Sequence, residues 1–384
     1  MIPYSTQNIT ERDLEAVSTA LTSGWLTQGP AVPRFEARMA QLHSVEHAIA
    51  VSNATAGLHI ACLALGVGPG SVVWTSPNSF IASANCALYC GAEVDFVDID
   101  PKTRNISVAA LEAKLERAER HGKLPRVVIP VDFAGLPCDY IELRRLADRY
   151  GFRILEDASH AVGARYGDAP VGSRFVDAAV FSFHAVKIVT TAEGGMIVTQ
   201  NAELAHRLRS LRSHGITRDA GEFTLPAEGA WYYEQQELGY NYRMTDIQAA
   251  LGCAQLDRFD DFRARRHHLA GRYDELLEKL PLVKPLAVTD RESSRHLYVV
   301  EIAADSAKTR AEVFAHMRNA GVGVNVHYIP IHLQPFYRKL GFKPGDFLNS
   351  ERYYHRAISL PLFPAMTHEQ QDRVVQVLKQ ALVV

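Results

Sequence analysis

"RVVIPVDFAGLPCDYIELRRLADRYGFRILEDASH", residues 126–160, decides the fold. It opens on a continuous apolar run and passes through a stretch in which Leu143, Leu146 and Tyr150 share one helical face. It closes on a second apolar run that ends in acid at Asp157. A strand apolar throughout is buried on both faces, whereas a half-solvated strand alternates. Two such strands joined by an amphipathic helix predict a parallel sheet with helices on both sides.

Outward from this unit, "AAVFSF" (178–183) and "GMIVT" (195–199) add two short strands. Thr10-Glu11-Arg12-Asp13 reads as a helix start, followed by Leu14, Val17 and Leu21 on one face. "GVGPG" (66–70) resembles a phosphate cradle, but it follows a helix and precedes a strand, so a helix end and turn is expected. After Thr245 the character changes. A long helical pattern (Phe262, Leu269, Tyr273, Leu276) leads to a strand, "HLYVVEIA", a helix around Val313, Phe314 and Met317, and a last helix with Val374, Val377 and Leu378. The expectation is a large α/β domain with a mixed, mostly parallel sheet over residues 1–245, and a smaller α+β domain over 246–384. "DAGEFTLPAEGAWYYEQQE" (219–237) lacks periodicity and is expected to be a mobile loop.

Composition narrows the function. The 384 residues are 47% hydrophobic and 22% charged, with a net charge of −2, as in an ordinary globular protein. No basic run interleaved with aromatics points to nucleic acid. No apolar run approaches the roughly 18 residues that span a bilayer, and Met1-Ile2-Pro3-Tyr4-Ser5 has no signal-peptide pattern. The five cysteines form no CxxC pair and read as buried thiols of a reducing, cytoplasmic compartment. No metal-ligand spacing is present.

The chemistry-bearing stretch is "FSFHAVKIVTTAEGG" (181–195), in which one lysine, Lys187, stands between a buried-looking strand and a glycine pair. A solvated lysine is the common case; a lysine held in a cleft as covalent anchor or base needs supporting groups. Three candidates exist. Asp157 ends a strand at the edge where open sheets place ligands, though it could equally be a helix cap. "SNATAGLH" (52–59) sets Ser, Asn and Thr at a helix start, where capping competes with phosphate binding. "SPNSF" (76–80) puts Phe80 just past a strand end, as core or as a stacking face. Together they suit pyridoxal 5′-phosphate, which needs an amine, an acid opposite its pyridine nitrogen, an aromatic face and an anion site.

At these residues the chain resembles the DegT-type sugar aminotransferases of fold-type I. The resemblance runs through "WLTQGP" (25–30), "SNATAGLH", "SPNSF", "ILEDASHAVGARY" (154–166), "FSFHAVK" with "TAEGG", "SHGITRD" (213–219), "LGYNYRMTDIQAALG" (238–252) and "VHYIPIH" (326–332). It implies that Lys187 anchors the cofactor and carries protons, and that Asp157 pairs with the pyridine nitrogen. Phe80 would stack on the ring, Thr55, Ala56 and Ser182 would bind the phosphate, and His160 would lie near the 3-hydroxyl. Asn241 would reach the phosphate site of a neighbouring subunit in an obligatory homodimer. Arg243 would lie near glutamate and the sugar, and Trp25, Thr27, Gln28, His327 and Tyr328 would line the nucleotide-sugar side.

Within the family, "SFHAVK…TTAEGG" is most similar to the subgroup of the pseudaminic acid pathway. That implies amination by L-glutamate at carbon 4 of a UDP-linked 2-acetamido-2,6-dideoxy-4-ketohexose. His184 belongs to that subgroup's pattern, whereas Ala185 replaces the Pro or Thr common elsewhere. Other readings are action on a GDP- or dTDP-linked sugar or at carbon 3, or a non-catalytic regulator on the same fold; retention of Lys187 and Asp157 opposes the last.

Overall fold

The computed structural model describes residues 1–382. Its central sheet has seven strands in the order His47–Val51, Gly195–Thr199, Ala178–Ser182, Arg153–Asp157, Val127–Ile129, Val72–Thr75, Glu93–Phe96. From Ala178–Ser182 to Glu93–Phe96 the neighbours run parallel, while Gly195–Thr199 runs antiparallel to both strands beside it. The stretch 126–160 thus forms two adjacent central strands with the Tyr140–Tyr150 helix between them in sequence. Strand alternation separates two cores: Ala178 and Val180 join a cluster with Ile49, Leu58 and Ile197, whereas Ala179 and Phe181 join one with Phe35, Met39 and Val198. Both faces are apolar because both are covered.

Local signals set the ends of elements. Thr10 and Asp13 form a capping box on the Glu11–Thr22 helix, and Asn53 caps Ala54–Ala64 by accepting from the Ala56 N–H at 2.8 Å. Such a cap is worth about 1 kcal/mol. "GVGPG" is a helix end and turn, with Gly66 at φ 82° and Gly70 at φ 84°.

Packing bears on two sequence expectations. The changeover between the two cores falls later than residue 245. The Asp246–Leu256 helix buries Ala249, Ala250 and Cys253 against Phe35 of the large domain. The changeover lies inside the next helix, Phe259–Leu276, whose Phe259 and Phe262 stay in that cluster. Its Leu269, Ala270 and Tyr273 join Tyr298, Met317 and Val374 of the smaller unit. The signal at Thr245 is a capping box with Gln248, which marks a helix start and not a domain boundary. The stretch 219–237, expected as a mobile loop, is hydrogen-bonded within itself: the Glu234 carboxylate accepts from Thr224 N and Oγ1, Leu225 N, the Tyr232 hydroxyl and Gln236 Nε2. Among the described residues no helix is long and apolar enough to cross a membrane, and all five cysteines are buried free thiols.

Candidate active site

The carboxyl ends of the central strands open into a cavity of about 810 Å³, closed from the other side by Asn325, Val326, His327 and Tyr328 of the smaller unit. This is the crevice position where open α/β sheets bind ligands. Thr55, Phe80, Asp157, His160, Ser182, Lys187, His327 and Tyr328 all reach its wall.

Lys187 follows the Ala178–Ser182 strand in a tight turn, its N–H donating to the His184 carbonyl at 2.9 Å. The loop is clasped by Phe183 N–H to Gly194 O and Thr191 N–H to Phe183 O, both at 2.9 Å. The glycine pair answers to close approach. A Cβ on Gly194 would stand 2.1 Å from Thr191 Oγ1, and one on Gly195 would stand 2.7 Å from Ala54 N and Asn53 C. Only glycine lets this strand lie against the start of the Ala54–Ala64 helix. Burial lowers the Lys187 amine to about 8, with the Asp157 carboxylate opposing the shift. A lysine so placed has a substantial neutral fraction near physiological pH.

Asp157 is buried and oriented through both oxygens. Ser83 Oγ donates to Oδ2 at 2.6 Å, and the Ser159 N–H donates to Oδ1 at 3.1 Å. His160 is held by its two nitrogens. The Ala134 N–H donates to Nδ1 at 3.3 Å, so in the neutral ring the proton sits on Nε2 and is given to Tyr328 Oη at 3.0 Å. Burial, followed by the Lys187 charge, drives the His160 pKa well below its ordinary value, which keeps the ring neutral. The Tyr328 hydroxyl hydrogen is then left for an acceptor in the cavity. His296 packs on His160 at 4.6 Å between centroids, and burial lowers its pKa as well. His327 is brought down to about 4 by burial, then by Lys187, and its Nδ1 lies 2.7 Å from Ser359 Oγ. Three histidines on the wall therefore carry no charge at neutral pH.

At the Ala54–Ala64 helix start, Ala54 and Thr55 lie on the wall, and among the described residues their N–H groups make no hydrogen bond. Ala56 does not reach the wall, and its N–H is taken by the Asn53 cap. The helix start therefore offers Ala54 and Thr55, not Ala56, to an anion. Phe80 lies on the wall with 57% of its surface exposed, 6.5 Å from the Tyr328 ring. Trp25, Thr27, Gln28, Asn241 and Arg243 are not on this cavity's wall. Trp25 is 59% exposed, Thr27 bridges to Thr245, and Asn241 is exposed and bridges to Ser213.

Sequence reading missed Tyr4, Ser83, Glu193, His296 and Asn325. Ser83 lies 74 positions from its partner Asp157 inside an apolar helix, where nothing in the local pattern singles it out. His296 had been absorbed into the strand pattern of "HLYVVEIA".

An amine, a doubly oriented acid opposite it, an exposed aromatic face and a helix start with free N–H groups are the parts pyridoxal phosphate requires, and these residues fit it. With a mixed sheet and a smaller second unit, they define a fold-type I aminotransferase. Residues 7–379 match the DegT/DnrJ/EryC1/StrS aminotransferase family. The spore coat polysaccharide biosynthesis protein SpsC of Bacillus subtilis (strain 168) is 39% identical over 382 residues, covering 98% of this chain and 96% of that protein. Spr1654 of Streptococcus pneumoniae, solved in its PLP form, superposes with a TM-score of 0.88 at 30% identity, covering 100% of both chains. Helicobacter pylori PseC, an aminotransferase involved in the biosynthesis of pseudaminic acid, gives a TM-score of 0.90 at 28% identity over 99% of each chain. The chain belongs to the DegT/DnrJ/EryC1/StrS family and is a pyridoxal-phosphate-dependent sugar aminotransferase.

Proposed function

We propose that the protein moves the amino group of L-glutamate to carbon 4 of a UDP-linked 2-acetamido-2,6-dideoxy-4-ketohexose, the type of step that pseudaminic acid biosynthesis uses. The observation that carries this reading is His184. It belongs to the "SFHAVK" pattern of that subgroup and stands on the cavity wall three residues from Lys187. The likeness to PseC supports it. A cavity of about 810 Å³ lies toward the upper end of small-molecule sites, roughly 300–1,000 Å³, which suits a sugar beside the cofactor.

When bound, the cofactor supplies the electron sink for breaking the donor's Cα–H bond. Lys187 Nζ would be the group that takes that proton and, in the second half-reaction, the group that protonates carbon 4 of the sugar. Asp157 would hold positive charge at the pyridine nitrogen. Thr55, Ser182 and the Ala54 and Thr55 N–H groups would receive the phosphate, and Phe80 would cover the ring. His160 and Tyr328 would offer hydrogen bonds on the 3-hydroxyl side.

The charge balance supports a homodimer with shared sites. The acids on the wall are Asp157 and Glu193, and beside its four histidines, three of them held neutral by burial, the only other basic side chain among the described residues is Lys187. Among the described residues no arginine stands on this wall to meet a phosphate, a dicarboxylate donor and a sugar diphosphate. Positive charge and amide donors from Arg243 and Asn241 of a second copy would complete the site. The exposed Leu225, Trp231 and Leu238 nearby in sequence suit an interface.

The test is to convert the enzyme to its amino form with glutamate and add UDP-, dTDP- and GDP-linked 4-keto and 3-keto sugars in turn. Return of the original cofactor spectrum with the UDP-linked 4-keto-2-acetamido sugar alone is expected. A response to a dTDP-, GDP- or 3-keto sugar instead would overturn the assignment of nucleotide or carbon.

A further inference from the structure

Directly behind the acid that faces the pyridine nitrogen lies a second pair of carboxyls that the reaction does not touch. Glu156 precedes Asp157 on the same strand and so points to the opposite face. Asp132 lies on the same side, and both are completely buried. Asp132 Oδ1 accepts from the Tyr140 hydroxyl at 2.7 Å and from the Cys138 N–H at 2.9 Å. Glu156 Oε2 accepts from the Gly172 N–H at 2.8 Å. The other two oxygens, Asp132 Oδ2 and Glu156 Oε1, have no donor from any other group. Val131 pairs with Asp157 across neighbouring chain segments, so Asp132 and Glu156, one step to either side of that pair, share the opposite face as diagonal neighbours, each with one orphaned oxygen.

Two ionised carboxylates in that place would repel and leave two buried acceptors unpaired. One shared proton removes both penalties. Burial, then the Asp132 charge, pushes Glu156 well above the carboxylate range, and burial brings Asp132 up to about 6. Asp132 already holds two donors on Oδ1, so the proton rests on Glu156 Oε1 and is donated to Asp132 Oδ2.

The pair is wired to the site at two points. The Asp132 N–H donates to the Asp157 carbonyl at 3.2 Å, and Val131 bridges to Asp157. Asp132 also opens the Phe133–Gly135 turn, whose Ala134 N–H sets the His160 tautomer. The geometry points to Asp132 and Glu156 as a proton-sharing pair of positioning residues that together hold Asp157 and His160 in register. This rests on the aminotransferase reading of the site and is independent of which sugar is aminated.

The test uses amides. In Glu156→Gln, the carbonyl keeps Gly172 and the NH2 replaces the shared proton toward Asp132. In Asp132→Asn, the carbonyl keeps Tyr140 and Cys138 and the NH2 faces an ionised Glu156. Either single variant should keep kcat within about threefold of the parent. In the double variant two NH2 groups face each other with no acceptor, so kcat should fall by at least about tenfold more than the singles combined. KM for glutamate should change less than about threefold, and the visible band of the bound cofactor should shift. Infrared spectra in D2O should show a protonated-carboxyl C=O band in the parent that is lost in each single variant. If the double variant does not fold, Glu156→Leu takes its place, with Glu156→Gln as the rescue. Absence of the infrared band from the parent would overturn the shared proton. A double or Leu variant that lowers Tm but leaves kcat and the visible band unchanged would overturn the positioning role.

Discussion

The floor of the cavity and the outer surface of the chain follow different rules. On the floor, Asp157, His160 and Lys187 are fixed from within the chain: Ser83 and Ser159 hold the acid, Ala134 and Tyr328 hold the imidazole, and the clasped 183–194 loop presents the amine. Away from the cavity wall, Trp25, Leu225, Trp231, Leu238 and Asn241 stand exposed. The floor is preorganised for one cofactor, as electrostatic catalysis demands. The exposed apolar side chains of the outer surface are what the proposed dimer would cover.

The strongest way to break this contrast is Lys187→Ala. Turnover should fall to background while the fold and Tm are kept, because the residue contributes chemistry and little packing. Borohydride treatment of the parent should fix the cofactor on the peptide containing Lys187; label on another lysine would end the assignment. Next comes Asp157→Asn, expected to retain some cofactor but lose on the order of 10³-fold in kcat, since an amide cannot balance a ring cation in a desolvated site. Near-parental turnover would remove Asp157 from its role.

A smaller effect sharpens the account of the floor. The neutral amine is the nucleophile, so cofactor uptake by cofactor-free protein should rise about tenfold per pH unit and level off near pH 8. A midpoint near the ordinary lysine value of 10.5 would show that burial does not act on Lys187. The sign for stability agrees: the lowered pKa means the unfolded chain binds more protons between about pH 8 and 10.5, so the cofactor-free protein should gain stability across that window.

The smallest expected change concerns the partner. Mixed dimers of inactive Lys187→Ala and Asn241→Asp chains should regain close to half the parental activity per dimer. One site collects both defects and the other collects none. Verified heterodimers that stay inactive would place Asn241 in its own chain's structure.

The difference between floor and surroundings also explains what could be read in advance. Asp157, Lys187 and the 52–59 helix start stood out because each breaks an apolar pattern at a strand end. Ser83 and His296 did not, since a small serine in a helix and a histidine at a strand start resemble ordinary core positions. Ala56 looked like a phosphate contact from its place in the motif, but the Asn53 side chain had already taken its N–H. Which core the helix after residue 245 joins was not legible, because a capping box marks where a helix begins and says nothing about its packing.

By itself the sequence determined the sheet and the identity of the chemistry. Period and burial pattern are local properties, and a lysine, an acid and a helix start at successive strand ends can converge only at one edge of a parallel sheet. Tertiary structure alone decided the tautomer of His160, the two serines' unequal visibility beside Asp157, the neutrality of three wall histidines and the facing carboxyls of Asp132 and Glu156. Each of these depends on distance and desolvation between groups far apart in the chain, which no spacing along it encodes.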